Sequence, residues 1–196
     1  MSEESFIRLP PDGTGKMTRA IRIPERNVYQ TVNIVRDIEA ANPVYVATVL
    51  DSTSAVGKHH IALWNGSDRY VRILEIIVVT YISAQETNES VPLVVQRASS
   101  VLGGTTVPIE ALDPRAPPLP LQIMAMTNPT VIPSGNPIMV LSMNSILNTV
   151  GYLDFRPITP IVIAPNKGLS LRQHIATRRE VRVAISLLFS NEIITP

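Results

Sequence analysis

Of the 196 residues, 58 are Ile, Val or Thr and 17 are Pro. Two heavy atoms on Cβ restrict χ1 and fit a pleated sheet better than a helix. Proline inside a helix removes a hydrogen bond and clashes with the preceding turn. Together they exclude a bundle of long helices and favour short extended segments. The clearest is Val181–Phe189, where Val181, Val183, Ile185, Leu187 and Phe189 alternate with Arg182, Ala184, Ser186 and Leu188. Period-two alternation of this kind marks a strand with one buried face.

Further strand signals run along the chain with turn residues between them. Val28–Ile34 and Val44–Leu50 come first, with a short helical turn expected around Asp37–Ala41, ending at Asn42-Pro43. His59–Trp64 runs into Asn65-Gly66, a dipeptide that tolerates positive φ and predicts a hairpin returning along Tyr70–Ser83. Val91–Arg97, Thr105–Leu112, Leu121–Ala125, Ile138–Met143, Ile161–Ala164 and Leu169–His174 follow. Gly103-Gly104 turns the chain into Thr105, and Pro165-Asn166-Lys167-Gly168 reads as a type I turn with Ala164 as its first residue and Pro165 as its second. Residues 113–137 are dense in proline and read mostly as loop. Strands without strand–helix alternation predict an all-β fold, a two-sheet antiparallel β-sandwich of jelly-roll type. Residues 1–27 read as an extended N-terminal arm and residues 28–196 as the sandwich domain.

The long return strand poses a problem of register. Val71, Ile73, Ile77 and Val79 share a parity with Glu75. Either a bulge shifts the pairing or the strand is covered on both faces. The second face is itself apolar, with Leu74, Ile76, Val78 and Ile82. Charged residues make up only 17% of the chain against about 25% in average soluble domains. Too few polar groups remain to wet both outer faces, so the expectation is a subunit that buries one surface in its own core and another against copies or partners. The rival account is a large internal core.

The residues offer little chemistry. There is no Cys, which removes disulfides, thiolate metal sites and Cys nucleophiles. Asp12-Gly13-Thr14-Gly15-Lys16-Met17 lacks the first Gly and the final Ser/Thr of a phosphate loop, because Pro10 and Met17 occupy those positions. His59 and His60 point to opposite faces of a strand and do not chelate one ion together. No Gly-x-Ser-x-Gly elbow is present, and Asp51, Asp68, Asp113 and Asp154 read as turn residues. Asn65-Gly66-Ser67 and Asn88-Glu89-Ser90 match the glycosylation pattern but read as turns. Pro114-Arg115-Ala116-Pro117 matches a PxxP pattern, which is frequent in proline-rich loops. No catalytic residue, cofactor or metal is expected, and the chain reads as no enzyme. A formal net charge of +1 gives no basic face for nucleic acid. The acidic Met1–Ser5 carries no secretory signal, and the run Ile76–Val79 is far short of the ~20 residues of a membrane span. What stands out instead are two sets of residues in non-core segments: the apolar Phe6, Ile7, Leu9, Ile21 and Ile23 in the arm, and Pro114, Arg115, Pro117, Pro118 and Leu119 in the proline-rich loop. Both sets are candidate interaction residues.

Three motifs and their order carry a resemblance. His60-Ile61-Ala62-Leu63-Trp64-Asn65-Gly66-Ser67 followed by Tyr70-Val71-Arg72-Ile73-Leu74-Glu75-Ile76 resembles a hairpin of β-rich virion proteins of tailed bacteriophages. Pro165-Asn166-Lys167-Gly168-Leu169-Ser170-Leu171-Arg172-Gln173 resembles their turn-and-strand, and Val181–Phe189 is similar to the strand that closes such chains. The resemblance covers roughly residues 56–190 and omits the arm and residues 113–137. It implies a jelly-roll structural protein, a head decoration or cement protein, made in the bacterial cytoplasm and located on the capsid surface. Its implied partners are the major capsid protein and copies of itself, as dimers or trimers. A neck, tail or baseplate component is the alternative, and a carbohydrate-binding or cupin-like module is a third.

Overall fold

The structure, a computed structural model, describes residues 4–7, 18–23, 28–32, 43–53, 56–81, 89–145, 151–177 and 181–192. Every element among them is a strand. The chain divides into two compact units, Met1–Asn42 and Pro43–Pro196.

The first unit holds β1 (Glu4–Ile7), β2 (Thr18–Ile23) and β3 (Val28–Val32) in one antiparallel sheet of order β1-β2-β3. Phe6 and Ile7 lie in β1 and Ile21 and Ile23 in β2, whereas Leu9 lies outside the described residues. Val28–Val32 pairs with β2, so within this unit it belongs with the preceding segment. The helical turn expected near Asp37–Ala41 lies outside the described residues.

The second unit is two antiparallel sheets packed face to face. Its strands are β4 (Val44–Thr53), β5 (His59–Asn65), β6 (Tyr70–Tyr81), β7 (Glu89–Leu102), β8 (Thr105–Val107), β9 (Ile109–Ala111), β10 (Ile123–Thr127), β11 (Thr130–Pro133), β12 (Met139–Ser145), β13 (Gly151–Phe155), β14 (Ile161–Ile163), β15 (Lys167–Gln173) and β16 (Val181–Glu192). The seven-stranded sheet has the order β11-β7-β15-β5-β10-β8, with β12 beside β11 along β7. The six-stranded sheet has the order β13-β6-β16-β4-β9, with β14 beside β13 along β6. From β4 onward every connection crosses between the sheets except β7–β8, β10–β11, β11–β12 and β13–β14.

The core lies between the sheets. Phe189, Ile185 and Leu187 of β16 face Ile61 and Leu63 of β5, Leu93 of β7 and Leu169 and Leu171 of β15, all fully buried. Tyr45 stacks on Phe189 with ring centroids 5.9 Å apart and planes at 30°. Burying such a side chain stabilises by about 1.5–3 kcal/mol. A smaller cluster of Ala62, Ala98, Val101 and Met126, with Trp64 and Val131 against it, covers the other face of the seven-stranded sheet.

Several expectations change at this level. Asn65-Gly66 forms no hairpin: β5 and β6 lie in different sheets, and neither residue has positive φ. The reason is local. The Asn65 carbonyl oxygen Oδ1 accepts from Ser67 N (3.2 Å) and Ser67 Oγ (2.7 Å), an Asx turn that bends the chain across to the other sheet. The hairpin of the phage resemblance is therefore a crossover here. Likewise Asn166 has φ 55, which a type I turn forbids at its third residue and a type II turn requires.

The expected strand Thr105–Leu112 breaks at Pro108 into β8 and β9, one in each sheet. β11 and β13 were not expected. Pro133 closes β11 at a register shift on a sheet edge, where its missing N–H leaves no ladder bond unmade. Asp51 and Asp154 lie in β4 and β13 rather than in turns. Gly103 and Gly104 do turn the chain, with φ 64 and 82.

The register question in β6 resolves as a bulge. Phe189 pairs with Ile73 and Leu188 with Glu75, so Leu74 is the extra residue. Parity flips there. Val71, Ile73, Ile76 and Val78 all enter the core, while Ile77 and Val79 are half-buried on the outer face. Ile76 and Val78 thus belong to the core and not to the second face.

Candidate functional site

The proline-rich connection between β9 and β10 is anchored rather than free. Leu112 N donates to Val44 O (2.9 Å), Ile123 N to Pro120 O (2.9 Å) and Gly66 N to Gln122 O (3.0 Å). Tyr45 Oη donates to Pro117 O at 2.6 Å, and the Leu119 side chain packs on the core. Asp113 accepts from Arg115 N, Nε and Nη2 at 2.9–3.0 Å, and the arginine's hydrogen bonds hold this carboxyl below the usual carboxylate range. The fastened loop leaves Pro114, Arg115, Pro117 and Pro118 exposed, together with Leu121 at 92%. Four of the five expected loop residues are therefore presented outward, and Leu119 is turned in as their anchor. Val107, Pro108, Ile109, Leu119, Leu121 and Met124 line an apolar groove beside it.

A second exposed apolar feature is one that sequence periodicity missed. Tyr152 pairs with Val79, Val79 with Ala184 and Ala184 with Leu50. These four lie in one row across β13, β6, β16 and β4 on the outer face of the six-stranded sheet. Leu50 is 82% exposed and Tyr152 64%. Each contributes a single apolar residue, so no strand signals the row by itself. Its signal is cross-strand register, which exists only after folding.

The densest polar cluster joins the two sheets. His60 is fully buried, with Nδ1 2.8 Å from Asp51 Oδ2 and Nε2 3.0 Å from Gln173 Oε1. Lys58 Nζ donates to Asp51 Oδ1 (2.6 Å) and to Ser52 O (2.8 Å), and Ser52 N donates to Asp51 Oδ1 (2.8 Å). Burial opposes charge on Asp51, but the bonds from Lys58, His60 and Ser52 N outweigh it and hold the carboxyl below its ordinary range. On the neighbouring residue, burial first and then Arg172 and His60 push the His59 imidazole down. A Ser–His–acid triad needs an imidazole nitrogen free for a nucleophile. Both nitrogens of His60 are already engaged, by Asp51 and Gln173, so the cluster does not present that arrangement. Among the described residues no group of three or more His, Cys, Asp or Glu is placed to hold a metal ion. Among them no helix is long and apolar enough to cross a membrane.

No family model, no curated protein and no solved structure matches this chain.

Proposed function

We propose that the chain is a non-enzymatic structural protein of a phage particle, a decoration or cement protein that stabilises the head through contacts with copies of itself and with the major capsid protein. The observation that carries this reading is the apolar row Tyr152–Val79–Ala184–Leu50, exposed at both ends and half-buried between them. Contiguous exposed apolar surface on a folded domain marks an interface, and specific interfaces bury about 1,200–2,000 Å² in total. The fastened loop with Pro114, Pro117, Pro118 and Leu121 outward adds a second contact surface that costs little ordering on binding.

Strand order supports a jelly-roll type within the sandwich. One sheet runs β4-β16-β6-β13 and the other β5-β15-β7-β12, and β4 to β7 alternate between sheets before β12 to β16 return beside them. Two interlocked Greek keys have this order, and capsid proteins use it widely. On this reading β8, β9 and β10 are an insertion that widens both sheets on the same side.

The test is the copy number of the chain in purified particles, with sedimentation equilibrium of the isolated protein. A number that follows the capsid lattice, with dimers or trimers in solution, is expected. A number set by one ring of the neck or tail, or absence from particles, overturns the decoration assignment.

A further inference from the structure

The outer row Tyr152–Val79–Ala184–Leu50 has unequal ends. At one end Tyr152 of β13 stands 64% exposed, a knob on the sheet face. Toward the other end lies a depression of about 590 Å³, lined among others by Leu50, Asp51 and Ser52 of β4, Arg182 and Ala184 of β16, and Val79 of β6. That lining suits an aromatic ring with a hydroxyl. Leu50, Val79 and Ala184 offer apolar contact, and the Arg182 guanidinium offers a cation to the ring face. Ser52, in register with Arg182, offers a hydroxyl to the phenol. The chain does not fill the depression with its own tyrosine, because Tyr152 and Leu50 are three strand intervals apart, about 14 Å at the ordinary spacing.

We propose that the depression takes the Tyr152 ring of a second copy, related to the first by a two-fold axis that runs along the strands between β6 and β16. The inference rests on the self-contact proposed above and supplies its geometry. The row itself is the argument. A half-turn about its midpoint lays Tyr152 over Leu50 of the second copy and Val79 over Ala184, and the reverse on the other side. One ring then enters one depression at each end, which is the reciprocity an isologous contact requires. An unrelated partner needs no such match of knob and hollow at equal distances from one line.

The flanking rows can lose water without stranding polar groups. Thr48 Oγ1 and Ser186 Oγ, in the next row, are hydrogen-bonded to each other at 2.8 Å, and Ile77 lies in register with Ser186. Arg156 bonds both Glu75 (3.0 Å) and Asp154 (3.3 Å), so these acids meet a second copy with their counter-ion in place. Leu188 and Val46 of the following row are apolar and half-buried. On the opposite flank Arg182 shares its depression with Asp51. Four strands at about 4.8 Å, each with four outward residues at about 6.8 Å, cover roughly 500 Å² per copy. The pair buries about 1,000 Å², the lower bound of a specific interface and the size of a reversible dimer.

The chain has no cysteine, so one introduced thiol reports one contact. Leu50→Cys and Tyr152→Cys are made as separate full-length proteins, each at an exposed side chain. Under mild oxidation a covalent dimer is expected from their mixture and from neither protein alone, because the two copies of Leu50 stand about 14 Å apart across the axis. Tyr152→Ala should raise the dimer dissociation constant at least about tenfold in sedimentation equilibrium while melting with the wild type. A link in the Leu50→Cys protein alone, a wild-type dimer with no link in the mixture, or a Tyr152→Ala dimer of unchanged strength overturns this geometry and leaves self-association standing. A wild-type chain that stays monomeric overturns the geometry and the self-contact together.

Discussion

Asp51 holds the polar cluster between the two sheets together, because three donors converge on one carboxylate that is 11% exposed. Asp51→Ala leaves His60 Nδ1 and Ser52 N without this acceptor and the Lys58 ammonium with Ser52 O alone. Stranding buried donors of this kind costs roughly 2–3 kcal/mol, to be read as a lower urea midpoint at neutral pH. The carboxyl sits below its ordinary value in the folded state, so its contribution is complete above about pH 4 and is lost as pH falls through the folded value. The gap between variant and wild type should therefore close in acid, and a pH-independent gap rules out ionisation as its source. Asn65 is the corresponding residue at another corner. Its Nδ2 donates to Arg69 O (2.7 Å) and Ile163 O (3.1 Å), and its backbone oxygen accepts from Asn166 N (2.7 Å), so one buried side chain stitches two crossovers. The dipeptide Asn-Gly announces a turn in the sequence. Which turn it makes was not legible, because the Asx turn between Asn65 Oδ1 and Ser67 is accompanied by a bond from Asn65 Nδ2 to Ile163 O, 98 residues away.

At the scale of elements, period-two alternation was the reliable signal, and β16 shows why. It pairs with β4 along one edge and β6 along the other, and its apolar set faces one core. Where one strand serves two registers, the pattern has to break. The bulge at Leu74 was legible as a parity conflict around Glu75, although the sequence left a doubly covered strand equally open. Short edge strands β11 and β13 were not legible, since four or five residues with proline or glycine give too few alternations to count. The bulge makes a direct prediction. Deleting Leu74 leaves Ile73 inward, Glu75 outward and Ile76 inward, a continuous ladder against β16. The shortened protein should fold with native strand content by circular dichroism. Deleting Ser186 has the opposite consequence, because Leu187 and Phe189 turn outward and Ser190 turns in. That variant should lose cooperative unfolding, and two deletions with equal effect would show that the bulge does not set the register of β6.

At the scale of the molecule, what the sequence left unread is the crossing pattern. Local chemistry says where a strand ends, but not which sheet receives the next one, because that depends on partners far along the chain. The all-β class and the antiparallel sandwich were legible from composition and alternation. The outer row was not, since Leu50, Val79, Ala184 and Tyr152 come from four separated segments. If that row is the contact surface between copies, its removal should uncouple association from folding. Leu50→Lys with Tyr152→Lys replaces two exposed apolar side chains by ammonium groups and leaves the Tyr45–Phe189 stack and the rest of the core untouched. Substitutions on an exposed face away from such packing shift stability by no more than about 0.5 kcal/mol. Two like charges placed opposite their symmetry mates in a shared interface oppose association far more strongly. The double variant should melt with the wild type yet sediment as a monomer and fail to bind particles. Unaltered self-association would move the contact from this face to the fastened loop, where Leu121→Lys is the matching variant.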